Sequence, residues 1–255
     1  MSNWVRFEYA GKTNFGQLNH DTIQIYTGDM LGASQAIKET IPLASVELLT
    51  PCAPGKLLGL WNNFHQRAVK EGLSQPHHPL YFTKSNNCYL APEQTIRQPA
   101  SYDGPVVFEG ELGLVISKTC RAISPEQADE YIFGYTIVND VTARGILKAD
   151  PTFAQWGRSK SFDTFGPIGP VIVSGIEPDQ LVVRSLINGV EKQNYPVADM
   201  FYRPRQIISL LSQDLTLYPG DIIACGTSFG TEPMPKGCTV EIEIQGIGVL
   251  RNRFE

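Results

Sequence analysis

The frequency of chain-breaking residues constrains this sequence more than any other feature. Its 255 residues include 23 glycines and 18 prolines, spread along nearly the whole chain. Glycine admits turn conformations closed to other residues, and proline lacks the backbone N–H that helices and central strands need. The segments between these breaks are short and either alternate in polarity or are continuously apolar, the pattern of strands rather than long helices. A β-rich α+β chain follows. Its length suits one large domain with a small appendage, and at this size a hydrophobic core needs no covalent staples.

Composition excludes several classes. Hydrophobic residues make up 42% and charged residues 18%, which argues against global disorder and against a coiled coil. The net charge of −5 argues against a nucleic-acid partner. An anionic substrate would have to be drawn in by local cations against that field. No apolar run approaches the ~20 residues of a membrane span. The opening Met1-Ser-Asn-Trp-Val-Arg-Phe-Glu has no apolar signal core. Cys52, Cys88, Cys120, Cys225 and Cys238 are odd in number, scattered and without a CxxC pair. They read as reduced, buried thiols in a cytoplasmic protein.

Residues 4–27 alternate and break at Gly11-Lys12 and Asn19-His20-Asp21, which predicts three short antiparallel strands. Residues 33–48 are mildly helical, and Pro51 and Pro54 then break the chain. This sets a small N-terminal β unit over 1–52 and a second domain over 53–255. Strands are predicted at Lys56–Trp61, Leu80–Thr83, Val106–Ile116, Tyr131–Asn139 and Ile222–Cys225, and a short helix at Phe64–Gly72. Ser124-Pro125-Glu126 has the form of a helix start. Asn188-Gly189 signals a hairpin, Arg205–Ser212 a helix, and Val240–Ile244 a pair with Val249–Asn252. Residues 140–163 are polar, irregular and too long for a plain connection. His77 and His78 lie between Pro76 and Pro79 and read as a solvent loop.

Glu109 and Glu111 stand two apart on the most apolar predicted strand, so they share a face. Side-by-side carboxylates repel, and a hard cation such as Mg²⁺ or Mn²⁺ removes the conflict. Spacing alone also fits an ordinary charged, solvated strand face. Asp140 closes the strand ending at Asn139. It is either a helix N-cap or a third carboxylate ligand.

Four stretches resemble the fumarylacetoacetate hydrolase family. They are Phe108-Glu-Gly-Glu-Leu-Gly-Leu-Val-Ile116, Phe133-Gly-Tyr-Thr-Ile-Val-Asn-Asp-Val-Thr-Ala-Arg144, Lys160-Ser-Phe-Asp-Thr-Phe-Gly-Pro-Ile-Gly-Pro170 and Leu217-Tyr-Pro-Gly-Asp-Ile-Ile-Ala-Cys-Gly-Thr227. The resemblance spans roughly residues 56–252. It implies a mixed β-sandwich roll, a homodimer, and Mg²⁺ or Mn²⁺ held by Glu109, Glu111 and Asp140. It also implies Lys160 beside the metal and Arg144, Thr227 and Lys84 with the substrate.

Gly59-Leu-Trp-Asn-Asn-Phe-His65 resembles the family's histidine segment, and His65 is thereby implied as a proton carrier or base. Two positions depart from the pattern. Trp61 replaces the usual Asn, and Ala68 stands where relatives carry Glu three residues after the histidine. The nearest acid is Glu71. The family's defining chemistry makes hydrolytic C–C cleavage of a diketo acid the leading expectation. Ala68 keeps isomerisation or decarboxylation of a hydroxydienedioate or oxo acid close behind. A non-catalytic metal-binding member is the rival from another class. In each enzymatic case the partner is a small anionic oxo acid, and loops 66–79 and 147–158 shape the room for its tail.

Overall fold

The computed structural model describes residues Met1–Glu255. Two β-sheets dominate. In spatial order the large sheet runs Ser34–Pro42, Thr22–Gly28, Lys12–Asn19, Ser2–Tyr9, Gly166–Ser174, Ile132–Asn139, Gly110–Ile116, Ile222–Ala224, Leu57–Trp61 and Leu80–Lys84. The second has five strands, ordered Val190–Pro196, Val182–Ile187, Thr239–Ile244, Gly248–Phe254 and Thr95–Ile96. The chain is the β-rich sandwich expected. No helix is long and apolar enough to cross a membrane.

The strand Gly110–Ile116 shows how alternation builds the layers. Leu112, Leu114 and Ile116 point into the main core, where they join Val183, Ile242, Ile244 and Leu250 of the second sheet and Ile207, Ile208 and Leu211 of the helix Pro204–Asp214. Val115 points the other way and packs with Val138, Ile168, Ile172 and Trp4. A strand covered on both faces must be apolar throughout, which is why every residue from Gly110 to Ile116 is buried. Glu111 is the exception in character, and it sits at the end nearest the site.

The first three predicted strands form at Ser2–Tyr9, Lys12–Asn19 and Thr22–Gly28. Ser2–Tyr9 pairs with Gly166–Ser174, so the N-terminal strands extend the large sheet. The Asn188-Gly189 hairpin forms, with both residues at positive φ as its tight turn requires. Ser124 caps a seven-residue 3-10 helix, Pro125–Tyr131, through a capping box with Gln127.

Two segments depart from expectation. Residues 34–42 are a strand paired with Thr22–Gly28, and only Leu43–Ser45 make a helical turn. Ile37 and Ile41 are four apart, a spacing that shares one face in a helix and in a strand alike, so pattern alone could not separate the two. The predicted strand Val106–Ile116 is two strands. Val106–Val107 pairs with Thr142–Ala143, and Gly110–Ile116 pairs with Ile132–Asn139. Phe108 and Glu109 lie at the break between them.

Gly134 marks a close approach of backbones. A Cβ there would be driven into the carbonyl oxygen of Val173 on the neighbouring strand. Gly134→Val is expected to cost about 1–3 kcal/mol, as overpacked sites do. A thermal melt indistinguishable from wild type would refute that reading of the contact.

Candidate active site

Glu109, Glu111 and Asp140 meet where the large sheet's central strands end. Glu111 projects from Gly110–Ile116, and Asp140 follows Ile132–Asn139 directly. The break at 108–109 turns Glu109 toward them. Its N–H donates to Asn139 Oδ1 at 3.1 Å, and Asp140 N–H donates to the Glu109 carbonyl at 2.9 Å. One carboxylate oxygen from each residue lies within 4.8 Å of the other two, and the residues are only 6%, 1% and 1% exposed.

Two ammonium groups share this cluster. Lys160 Nζ donates to Glu109 Oε2 and to Asp140 Oδ2, each at 2.5 Å. Lys84 Nζ donates to Asp140 Oδ1 at 2.7 Å. Burial alone would raise the Asp140 carboxyl, but Lys160 and Lys84 outweigh it and hold that carboxyl below its ordinary range. Lys160 shows the converse. Burial opposes its charge, yet Asp140, Glu109 and Glu111 raise it above the usual lysine range. Glu111 has neither ammonium as a hydrogen-bond partner. It accepts only the Gly226 N–H, at 2.8 Å. Burial, then Asp140 and Glu109, push its carboxyl well above the ordinary range.

This donor set fits a hard divalent cation. Three carboxylates supply oxygen ligands, and the two lysine ammoniums paired with them leave one negative charge for a cation to meet. With the triad at −3 and Lys84 and Lys160 at +2, a divalent ion would leave the cluster net positive and suited to an anion.

Of the triad, Glu109 reaches a cavity of about 620 Å³, and Glu111 and Asp140 stay buried behind it. Glu109, Lys160 and Thr142 line the cavity, together with the apolar side chains of Trp61, Trp156, Leu73 and Leu147. Arg67, Glu71, Arg144 and Lys148 supply the charges around them. The short helices Arg144–Leu147 and Trp156–Lys160 build one side, within the stretch that had read as irregular. A larger groove of about 800 Å³ lies elsewhere, and its Arg203–Asp179 and Arg205–Asp129 pairs satisfy one another.

The structure brings Glu109, Glu111, Asp140 and Lys160 together, with Arg144 on the cavity wall. Arg144 is exposed and donates to Thr231 Oγ1 at 2.9 Å, a neutral partner that leaves its charge available. Lys84 takes a different place from the one the resemblance implied. It is fully buried, and its three donors go to Asp140, the Val141 carbonyl and the Lys160 carbonyl. It braces the cluster from behind and has no donor left for substrate. Thr227 does not line the cavity. Its hydroxyl accepts from Gln193 Nε2 at 2.9 Å, and its carbonyl from Arg67 at 3.4 Å.

His65 also lies outside the cavity. It opens the helix His65–Glu71 on the exposed side, with its ring 4.0 Å from that of Phe201. The helix turns Arg67 and Ala68 inward instead. Arg67 is the site residue that sequence reasoning passed over. Its guanidinium pairs with Glu71 at 2.9 Å, lies over the Trp61 ring at 4.5 Å and stands 4.0 Å from Glu109 Oε1. The Arg67–Glu71 spacing of four residues was the available signal.

Fold and site thus define a strand-built protein with a buried carboxylate triad under a cationic cavity. The family model for the fumarylacetoacetate hydrolase C-terminal domain matches residues 56–255, and an Rv2993c-like N-terminal model matches residues 3–51. The chain belongs to the fumarylacetoacetate hydrolase family, a family of enzymes. It is 36% identical over 226 residues to the oxaloacetate tautomerase YisK of Bacillus subtilis, covering 83% of this chain and 74% of that protein. The solved structure of 2-hydroxyhepta-2,4-diene-1,7-dioate isomerase from Mycobacterium marinum matches with TM-score 0.91 and 34% identity, over 100% of this chain and 98% of that one. Maleylpyruvate hydrolase from Sphingobium sp. SYK-6, solved with manganese(II) and pyruvate, matches with TM-score 0.81 and 26% identity, over 99% and 98% of the two chains.

Proposed function

We propose that this chain is a divalent-metal enzyme that isomerises, tautomerises or decarboxylates a small 2-oxo or enol dicarboxylic acid. The buried triad of Glu109, Glu111 and Asp140 beneath a cavity rich in cations carries the reading. Mg²⁺ or Mn²⁺ held by those three carboxylates would act as a Lewis acid toward the oxo-carboxylate end of the substrate. The remaining roles fall to the chain. Lys160 presents a fixed ammonium where negative charge develops on the substrate oxygen, and a preorganised donor of this kind is worth more than one in water. Arg144 and Lys148 draw in the far carboxylate. Glu71, held by Arg67, is the cavity carboxylate outside the triad and would be the base that takes a proton from carbon.

Diketo-acid hydrolysis is the second reading, supported by the maleylpyruvate hydrolase likeness. It ranks second because hydrolysis also needs an activated water. His65, the expected base, is exposed and is not among the residues lining the cavity, and the position that would orient it is the buried Ala68. A cytoplasmic location accompanies this proposal, argued from five free, buried cysteines. So does a homodimer, argued from the family resemblance.

The test is a substrate panel of oxaloacetate, acylpyruvates, fumarylpyruvate and hydroxydienedioates, with and without Mn²⁺, followed by ultraviolet absorbance. Metal-dependent enol–keto interconversion or CO₂ release is expected to outpace cleavage of any acylpyruvate. Faster acylpyruvate cleavage, lost in His65→Ala, would make hydrolysis the function and return His65 to the site.

A further inference from the structure

We propose that Trp61 and Trp156 determine specificity for the substrate's tail, selecting a flat, conjugated chain or ring over a short or saturated one. This rests on the oxo-acid reading above and adds the class of group beyond the reacting centre.

Both indoles are half-buried and line the cavity beside Lys160 and Glu109. Their ring centroids are 5.4 Å apart, at an interplanar angle of 56°. They are backed rather than loose. Trp156 stacks on Phe82 at 5.2 Å and 16°, and the Arg67 guanidinium covers Trp61 at 4.5 Å. Phe82 has room to do this because its strand partner is Gly59, where any Cβ would strike the Phe82 ring. The geometry of the wall is therefore set before a ligand arrives, which lowers the cost of binding against it.

Position links the wall to the chemistry. Trp156 opens the helix Trp156–Lys160, and Lys160 closes it four residues later, so both sit on one side of a single turn. A carboxylate and oxo group engaged at Lys160 would leave the tail lying along the indoles. Aromatic faces favour flat π-systems in offset or edge contact. A saturated tail would gain apolar burial but not that contact.

The test uses calorimetric titration of Mn²⁺-loaded protein with three probes: oxalate, 2-oxo-4-phenylbut-3-enoate and 2-oxohexanoate. Wild type is expected to bind the conjugated acid about tenfold more tightly than the saturated one, the scale of a favourable aromatic contact. Trp156→Ala should bring the two affinities together, and Trp156→Phe should keep most of the difference. Both should leave oxalate unchanged, since oxalate has no tail. Equal affinities in wild type, or a preference surviving Trp61→Ala/Trp156→Ala, would overturn the assignment while leaving the oxo-acid reading standing. A failure of oxalate itself to bind would overturn both.

Discussion

Asp140→Ala is expected to abolish Mn²⁺ binding and to lower the melting temperature of the metal-free protein by about 6–20 °C. The thermal part follows from two buried ammoniums that share this one carboxylate. Lys84 Nζ lies 2.7 Å from Asp140 Oδ1 and Lys160 Nζ lies 2.5 Å from Oδ2, and the Lys84 side chain has no exposure at all. Removing one partner of a buried pair leaves an uncompensated charge and typically costs about 3–5 kcal/mol. In a domain of this size each kcal/mol moves the melt by about 2–4 °C. The double variant Lys84→Met/Asp140→Ala removes the stranded charge. It should recover part of the melting temperature but none of the metal binding. Scanning calorimetry and Mn²⁺ titration on the same preparations separate the two effects. A melt within about 2 °C of wild type for Asp140→Ala would show that the cluster holds little stability. Undiminished Mn²⁺ affinity would remove Asp140 from the ligand set.

Lys160→Met should move binding and turnover in opposite directions. The ammonium contacts Glu109 Oε2 and Asp140 Oδ2, and a cation in the triad would draw on the same two carboxylates. Taking it away removes a competitor for those oxygens and a repelling charge, so Mn²⁺ should bind more tightly. Turnover should nonetheless fall by about 10²–10³, the usual loss on removing one preorganised donor from developing charge. Calorimetric Mn²⁺ titration gives the first quantity, and the initial rate at saturating Mn²⁺ on the best substrate of the panel gives the second. Weaker Mn²⁺ binding would show that Lys160 supports the triad rather than competing with it. Unchanged turnover would take it out of the catalytic role.

Much of this molecule was legible in its residues. The turn residues and alternating runs located the three N-terminal strands, the Asn188-Gly189 hairpin and the helix now seen at Pro204–Asp214. These features are local. A positive φ, an N-cap or a period of two is decided by a few neighbouring residues. The triad was legible for a different reason. Carboxylates on so apolar a strand need a cation or an exposed face, and the four family motifs pointed to the cation.

The helix His65–Glu71 was predicted, but which side chain it would turn inward was not. The structure buries Arg67 and leaves His65 outside, because Ala68 and Phe64 pack into the interior and rotate the helix accordingly. The strand Ser34–Pro42 formed where the pattern read as mildly helical, since pairing with Thr22–Gly28 outweighs a weak local preference. Lys84 stands more than fifty residues before Asp140, and nothing along the chain announces that its ammonium will be spent on that carboxylate. Trp61 and Trp156 are 95 positions apart and become one wall only through strand pairing and the turn of a five-residue helix. The amino-acid sequence by itself determined the β-rich class, the family and the carboxylates available to a metal, because each depends on residue type and short-range order. Only the tertiary structure decided which cations neutralise those carboxylates, which residues face the cavity and which stay outside it. Those outcomes depend on burial and on contacts between distant segments, and neither is encoded at any one position.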